Sequence, residues 1–293
     1  MRSSPPPSGR SRSPSLSAII IAMDEEDRIE PCLQSLQGWA DEIIVVDSGS
    51  RDRTPEICRR FTPNLIETYW RGYGRQKQFA LEAASTEWVL SLDADEVVTP
   101  ELRDEIDRVL SETPSEAAFR IPRQHEVFGK TLRHGDCGGA PIRLFRREGA
   151  RFSEDLVHEH VVPAGGIGRL KSRLTHFSLR DIDHALEKDR EYAGLWATQQ
   201  RARGRRVNLL ECFVHAAWCF VALTVFRGGW LDGRRGIVLA VLQSQYTFNK
   251  YVTLWTLQLT DAPVSAESDA YSKARLERHE HAIHIARSTV QSS

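Results

Sequence analysis

The stretch VLSLDADEVV (89–98) closes an apolar run with three carboxylates in four positions: Asp93, Asp95 and Glu96. Acids this close repel one another unless a positive charge sits among them. Helix starts are one use for such acids, because acids there oppose the positive end of the macrodipole. The next helix, however, is expected to begin at Thr99-Pro100-Glu101. Thr99 can cap it, Pro100 suits its first position, and Glu101, Asp104 and Glu105 already supply first-turn charge. That leaves Asp93, Asp95 and Glu96 surplus to capping. In an extended stretch alternate side chains face one way, with Cα atoms roughly 6.6 Å apart. Asp93 and Asp95 are then expected to share a face, and Glu96 to point elsewhere. Two carboxylates cannot fill the shell of Mg²⁺ or Mn²⁺, which water and substrate phosphates ordinarily complete. An Asp-x-Asp at the end of a buried strand therefore suggests a divalent cation holding a diphosphate. A solvated acidic loop is the plain alternative.

Three other places hold reactive side chains. In VVDSGSRDRT (45–54), Asp47 ends an apolar run and Ser48-Gly49-Ser50 make a tight turn. Ordinary turn chemistry explains those residues equally well. FSEDLVHEHV (152–161) gathers Glu154, Asp155, His158, Glu159 and His160. It reads either as a source of acid–base groups or as a half-exposed strand with alternating polar residues. LTHFS (174–178) carries His176 in an apolar setting, where a histidine is either structural or a metal ligand.

These residues need elements to hold them. SAIIIA (17–22), EIIVVD (42–47) and WVLSLD (88–93) are short apolar runs rich in β-branched residues, and NLIETY (64–69) is a weaker fourth. Helical patterns lie between them. DRIEPCLQSLQGW (27–39) spaces Ile29, Cys32, Leu33, Leu36 and Trp39 helically. TPEICRRF (54–61) opens with Thr54 as expected N-cap and Pro55 at the first position, and RQKQFALEAA (75–84) follows. Near-continuous apolar strands alternating with helices predict an α/β fold, with a parallel sheet covered on both faces. Ligands of such sheets bind at the carboxyl ends of the strands, near the switch point. Asp47 and Asp93 both fall at such ends. Further strands are expected at AAFRIP (117–122), PIRLFRR (141–147) and LTHFS, with loop between the first two. From residue 181 the chain turns helical: a charged helix over 181–206, an apolar one over 209–226, and an aromatic-rich one over 236–255. There is no internal repeat.

The 293 residues are enough for one large domain with an appendage, and a net charge of −1 supplies no global basic field for nucleic acid. The five cysteines are scattered without CxxC spacing, which reads as reduced thiols in a cytosolic protein rather than a disulfide frame or a zinc site. Residues 1–15, mostly Ser, Pro and Arg, are expected to be a disordered leader without a signal-peptide core. Residues 261–293 are a polar tail. The run LLECFVHAAWCFVALTVF (209–226) is marginal for a span, which needs ~20 apolar residues, and Glu211 and His215 weaken it further. Its basic flanks, RARGRR before and Arg227, Arg234 and Arg235 after, suit an anionic membrane surface. Packing on the catalytic domain or on a partner subunit is the other reading.

In their order, SAIIIAMDEE, EIIVVDSGSRDRT, RQKQFALEAA and WVLSLDADE resemble the nucleotide-binding half of the inverting family 2 glycosyltransferases. The later pieces WRGYGRQKQ, PIRLFRR, EDLVHE, RGGWLDGRRG and QYTFNKYVTLW are similar to the bacterial lipopolysaccharide-core β-glucosyltransferase branch. The resemblance implies a GT-A fold, a Rossmann-like mixed sheet with helices on both faces. Residues 16–178 would form that domain and 179–260 a helical, membrane-associating extension. By position, Asp93 and Asp95 match the Asp-x-Asp that binds the metal and the nucleotide-sugar diphosphate. Asp47, with Ser48, matches the acid near base and ribose, and Glu25 the acid after the first strand. Lys77 and Gln78 stand where Arg-Asn is frequent near the diphosphate. Two departures are Ser48 in place of a second Asp, and Asp24 where Asn is common. They bear on the nucleotide contacts.

Inverting transfer is one displacement at the anomeric carbon, and it needs a base for the acceptor hydroxyl and a stabiliser for the departing diphosphate. The resemblance assigns the base to the His158-Glu159 pair, with Glu159 first and Asp155 next, and makes His176 a further metal ligand. His125, His134, Arg123 and Arg133 are expected in the loop meeting the acceptor, where arginines suit phosphates or carboxylates; an exposed basic loop is the equal alternative. The resemblance thus implies an enzyme moving a hexose, glucose by the same token, from a nucleotide-diphosphate sugar to a lipopolysaccharide-core or related lipid-linked acceptor. It would use Mg²⁺ or Mn²⁺ at the inner face of the cytoplasmic membrane and have no nucleic-acid partner. Two rivals stand beside it. LDADEVVT superficially matches the Asp-x-Asp-x-Thr loop of haloacid-dehalogenase phosphohydrolases, with Asp93 as nucleophile, although Val97 stands at its last position. A non-catalytic membrane adaptor is the other.

Overall fold

The computed structural model describes residues 14–127, 129–132, 134, 139–153, 159–177 and 182–259. Residues 1–13 of the expected leader and the polar tail lie outside them, as do Cys137, Arg133, Glu154, Asp155 and His158.

The main sheet grows from apolar runs the sequence marks plainly. Strands β1 (Leu16–Ala22), β2 (Glu42–Asp47), β3 (Asn64–Glu67) and β4 (Trp88–Asp93) are parallel, with β1 between β2 and β4. Three more strands complete seven: β6 (Ala118–Arg120), β9 (Ile142–Arg146) and β12 (Ile167–Arg169). Their spatial order is β12-β6-β9-β4-β1-β2-β3. The sheet is mixed, because β9 runs antiparallel to both β4 and β6. The parallel sheet read from the strand pattern holds for its first half, and the sheet as a whole is mixed, as the family resemblance implied. The chain moves outward from β1 through β2 and β3, then returns to the other side of β1 as β4. That reversal creates the crevice at the carboxyl ends of β1 and β4.

Helices α1 (Ile29–Leu36), α2 (Thr54–Arg59), α3 (Tyr73–Ala83) and α4 (Pro100–Ser111) connect these strands. The two cores lie on opposite faces of the sheet. One packs Ile20, Trp88, Leu90 and Leu92 against Leu33, Leu36 and Ile106; the other packs Ile19, Val46, Val89 and Phe145 against Ala80 and Leu81. Thr99 caps α4 as expected, accepting from the Leu102 amide at 3.2 Å. Thr54 does not cap α2. It is already helical, and its Oγ1 accepts the Glu25 amide at 2.8 Å, tying the ends of β1 and β2 together.

The segment expected as loop holds strands instead. β7 (Arg123–Val127) and β8 (Lys130–Thr131) join β5 (Glu96–Val98) and β13 (Leu174–His176) in a second sheet, ordered β5-β13-β7-β8. Its polar residues hid it, since Glu96 and Arg123 face buried charges rather than water. A short antiparallel pair, β10 (Arg151–Phe152) with β11 (Val161–Val162), stands beside α3.

The helical extension is α5 (Ile182–Ala202), α6 (Leu209–Val221) and α7 (Arg234–Leu259). A π-helical turn, Ala222–Phe226, continues α6, and a 3₁₀ turn, Gly229–Asp232, leads into α7. Trp196, Ala197, Cys212, Tyr251 and Leu254 form its core. Among the described residues, two contacts tie it to the sheet-bearing half. Tyr192 stacks on Tyr73 of α3 at 5.8 Å between centroids. Asp232 accepts the His134 amide at 2.7 Å, with Leu239 packed on Val127 and Leu132 nearby.

Candidate active site at the β1–β4 crevice

The loops after β1 and β2 are laced by hydrogen bonds that fix the crevice floor. Asp24 adopts a left-handed backbone, φ 56°, which Asp tolerates. Its amide donates to Ser50 Oγ and its carboxylate accepts the Arg51 amide. Glu26 and Asp52 exchange similar bonds with the opposite loop. Asp47 is spent on this turn. Its Oδ2 accepts the Gly49 and Ser50 amides at 3.0 and 2.9 Å, and its Oδ1 the Ser50 hydroxyl. Ser48 is buried and accepts from Gln76 Nε2 at 3.1 Å.

The Asp-x-Asp does not lie in an extended stretch. β4 ends at Asp93, and Ala94-Asp95 turn before β5. The two carboxylates consequently have different partners. Asp93 accepts from Lys77 Nζ at 2.8 Å and from Arg143. Asp95 faces His176 Nε2 at 3.3 Å and Arg28 Nη1 at 3.6 Å. The expectation that Glu96 points away is corrected. It is fully buried, its Oε2 accepts the Asp93 amide, and its Oε1 lies 2.7 Å from Arg143 and 3.5 Å from Arg123. Glu96 is the anchor under the turn.

Lys77 joins the second acidic segment to the first. Its Nζ lies 2.7 Å from Glu159 Oε1 while holding Asp93, and the lysine is buried. Burial alone would lower the Lys77 pKa, but Asp93 and Glu159 outweigh it and raise it. Burial likewise pushes the Asp93 carboxyl up, yet Arg143 and Lys77 prevail and hold it well below the usual range. Both groups are therefore charged at neutral pH. Glu159 comes close because α3 packs tightly on β10: a Cβ on Gly74 would sit 2.2 Å from the Ser153 carbonyl oxygen.

Other expected site residues fall elsewhere. Gln78 faces away from the crevice, accepting the Phe152 amide and donating to Glu82. Lys77 and Gln76 hold the site side of α3 instead. His125 is buried on β7 with its ring 5.2 Å from His176, and Arg123 is committed to Glu96, so neither forms an acceptor loop. His134 contacts Asp232 of the extension. Glu25 sits at the crevice, held by Arg28 Nε at 2.9 Å. Sequence reasoning missed Arg143, Arg28, Gln76 and Tyr192. For Arg143 the signal was an arginine within the apolar strand IRLFR, where a charge must have a buried partner.

Five carboxylates (Glu25, Asp93, Asp95, Glu96, Glu159) thus meet four permanent cations (Arg28, Lys77, Arg123, Arg143) among the described residues. The site is left about one charge negative. A diphosphate would add two more negative charges, which a divalent cation would offset. Asp95 presents a carboxylate oxygen of the kind that Mg²⁺ or Mn²⁺ takes, with the His176 imidazole beside it as a softer second donor. Asp93 is the third candidate, with its oxygens shared with Lys77 and Arg143. Among the described residues no ready-made cage of three or more such ligands exists. The cation would take much of its shell from the substrate and water.

Residues 17–168 match the family model described as glycosyl transferase family 2. The lipopolysaccharide core biosynthesis glycosyltransferase LpsC of Rhizobium meliloti (strain 1021) is 32% identical over 80% of this chain and 89% of its own length. An uncharacterized glycosyltransferase of Rickettsia bellii (strain RML369-C) is 27% identical over 87% of this chain and 90% of its own. Among solved structures, S. aureus TarS 1-349 in complex with UDP-GlcNAc aligns over 84% of this chain and 91% of its own, at 16% identity and TM-score 0.45.

Proposed function

Since this chain belongs to glycosyl transferase family 2 and is a glycosyltransferase, we propose that it moves a hexose, glucose in our reading, with inversion, from a nucleoside-diphosphate sugar to a lipopolysaccharide-core or related lipid-linked glycan. The observation that carries the proposal is the Asp93–Lys77–Glu159 bridge at the carboxyl end of β4. It places a carboxylate base and a fixed ammonium side by side, beside the crevice where a nucleotide would lie. Glu159 takes the proton of the acceptor hydroxyl. Lys77 and Arg143 keep positive charge where the diphosphate departs. Asp95 and His176, with Asp93, would hold a divalent cation, and the chemistry it would supply is Lewis-acid stabilisation of that leaving group. Asp155 and His158, the other expected catalytic residues, lie outside the described residues. The lipopolysaccharide acceptor is supported by the activity for which LpsC is named. Peripheral attachment to the inner face of the cytoplasmic membrane is supported by the exposed apolar surface of the extension.

The two rival readings do not survive. A phosphohydrolase nucleophile must be free to attack, whereas Asp93 is clamped by Lys77 and Arg143. An adaptor has no need of a buried acid–ammonium–acid bridge, and the family assignment makes the chain an enzyme. The direct test is transfer of radiolabelled glucose from UDP-glucose to lipopolysaccharide extracted from a strain lacking this protein, with and without Mn²⁺. Metal-dependent labelling supports the proposal; release of free phosphate without labelled lipopolysaccharide would refute it.

A further inference from the structure

The helical extension keeps a large apolar surface uncovered. Trp218 and Trp230 are each 60% exposed and Phe226 is 71% exposed; Leu210, Phe213 and Val225 are also open. They lie on α6 and on the π and 3₁₀ turns that follow. The segment Leu209–Phe226 has a mean hydropathy of 1.9, with only 17% of it buried. A core helix of a soluble protein would have that face covered.

Beside the foot of α6 is a cleft of ≈ 380 Å³ lined by Arg201, Gly204, Arg205, Arg206 and Gln258. It is a built feature. Gly204 makes the turn at φ +76°. Gln258 clamps Val207 from both ends of its amide, accepting at 2.9 Å and donating at 2.8 Å. Arg205 is fixed over the rings of Trp196 and Tyr251 and donates to the Tyr251 hydroxyl at 3.2 Å. The last turn of α5 would explain Arg201 through the helix dipole. Arg205 and Arg206 stand beyond the helix end at Ala202, and no carboxylate pairs with either among the described residues. The Arg205 and Arg206 guanidinium groups, side by side at a polar cleft, match phosphate.

Resting on the peripheral-membrane reading above, we propose that this cleft is a headgroup site for anionic phospholipid. The cleft takes the lipid phosphate while the α6 face and its aromatic residues enter the acyl boundary. Charge complementarity selects the occupant: the apolar face is flanked by Arg205 and Arg206 on one side and by exposed Arg227, Arg234 and Arg235 on the other. A second protein chain would not need guanidinium groups on both rims of an apolar face, whereas an anionic bilayer meets both.

The test is flotation of the full chain with phosphatidylcholine vesicles, with and without phosphatidylglycerol. Wild type floats with the mixed vesicles and weakly with the neutral ones. Arg206→Gln lowers partition to mixed vesicles by clearly more than the roughly fivefold that one diffuse basic residue near the surface is worth, and Arg206→Lys restores only part of it. If Arg206→Lys binds as wild type, or if Arg206→Gln loses no more than Arg235→Gln, the charge acts diffusely and the cleft proposal is overturned. Trp218→Ser with Phe226→Ser abolishes flotation with both vesicle types. If that pair floats unchanged, the membrane reading itself fails. UDP-glucose binding, measured in parallel, stays at the wild-type value in all these variants, so that a folding defect or a failure of the donor-site reading is seen separately.

Discussion

At the scale of single residues the site is a balance of charges, and each substitution has a direction. Glu159→Gln keeps its shape and removes the base. Transfer should fall about 10²–10⁴-fold, while UDP-glucose titration still reports binding; wild-type turnover would return the base role to Asp155 or another group. Asp93 governs the acid limb of stability. Its carboxyl is held low by Arg143 and Lys77 against burial, so its stabilising contribution is complete above an unfolded value near 4 and is lost as pH falls through the folded one. Thermal melting should therefore show Asp93→Asn well below wild type at pH 7, with the gap closing below about pH 4. A gap independent of pH would mean that the ion pairs do not matter to folding. Asp93, Asp95 and Glu96 could be read from the sequence alone because they stand close together along the chain, whereas Glu25, Glu159 and Lys77 came only with the family resemblance. Arg28 and Arg143 were not read, and the partners of Lys77 and Arg123 were not either, because these four cations arrive from separate parts of the chain and only the folded sheet brings them to one turn.

At the scale of elements, close approach decides where the base stands. α3 can meet β10 only because residue 74 lacks a Cβ. Gly74→Ala must push the helix and strand apart and carry Lys77 away from Glu159. The expected result is a large loss of kcat with a native-like circular dichroism spectrum; unchanged kcat would show that the bridge tolerates this shift. Gly194, within α5, meets nothing within 4 Å, so Gly194→Ala should leave activity intact and raise stability by roughly 0.5–1 kcal/mol, readable by urea denaturation. The four parallel strands and the α4 cap were legible because apolar runs and Thr-Pro-Glu are local signals. Of the second sheet only β13 was, as the strand expected at LTHFS. β5 and β7 are short, and Glu96, Arg123 and His125 within them look like loop residues until their partners across the sheet are known.

At the scale of the whole molecule, the extension is joined to the active site by one helix. α5 places Tyr192 against Tyr73, one residue before Gly74, and ends at the arginine cleft. Nine residues separate Tyr192 from Arg201, a rise of roughly 14 Å. With a lipid phosphate in the cleft, that helix becomes a gauge of height above the bilayer. It fixes how far the reacting hydroxyl stands from the headgroups, and so which sugar along a lipid-anchored chain can be extended. Transfer to an acceptor embedded in vesicles should then fall sharply when its glycan is one sugar shorter or longer. The same acceptors dissolved singly in detergent, free to slide past the gauge, should differ much less. Equal selectivity in both settings would mean that the acceptor is chosen inside the crevice, and the length of α5 would carry no meaning for the reaction.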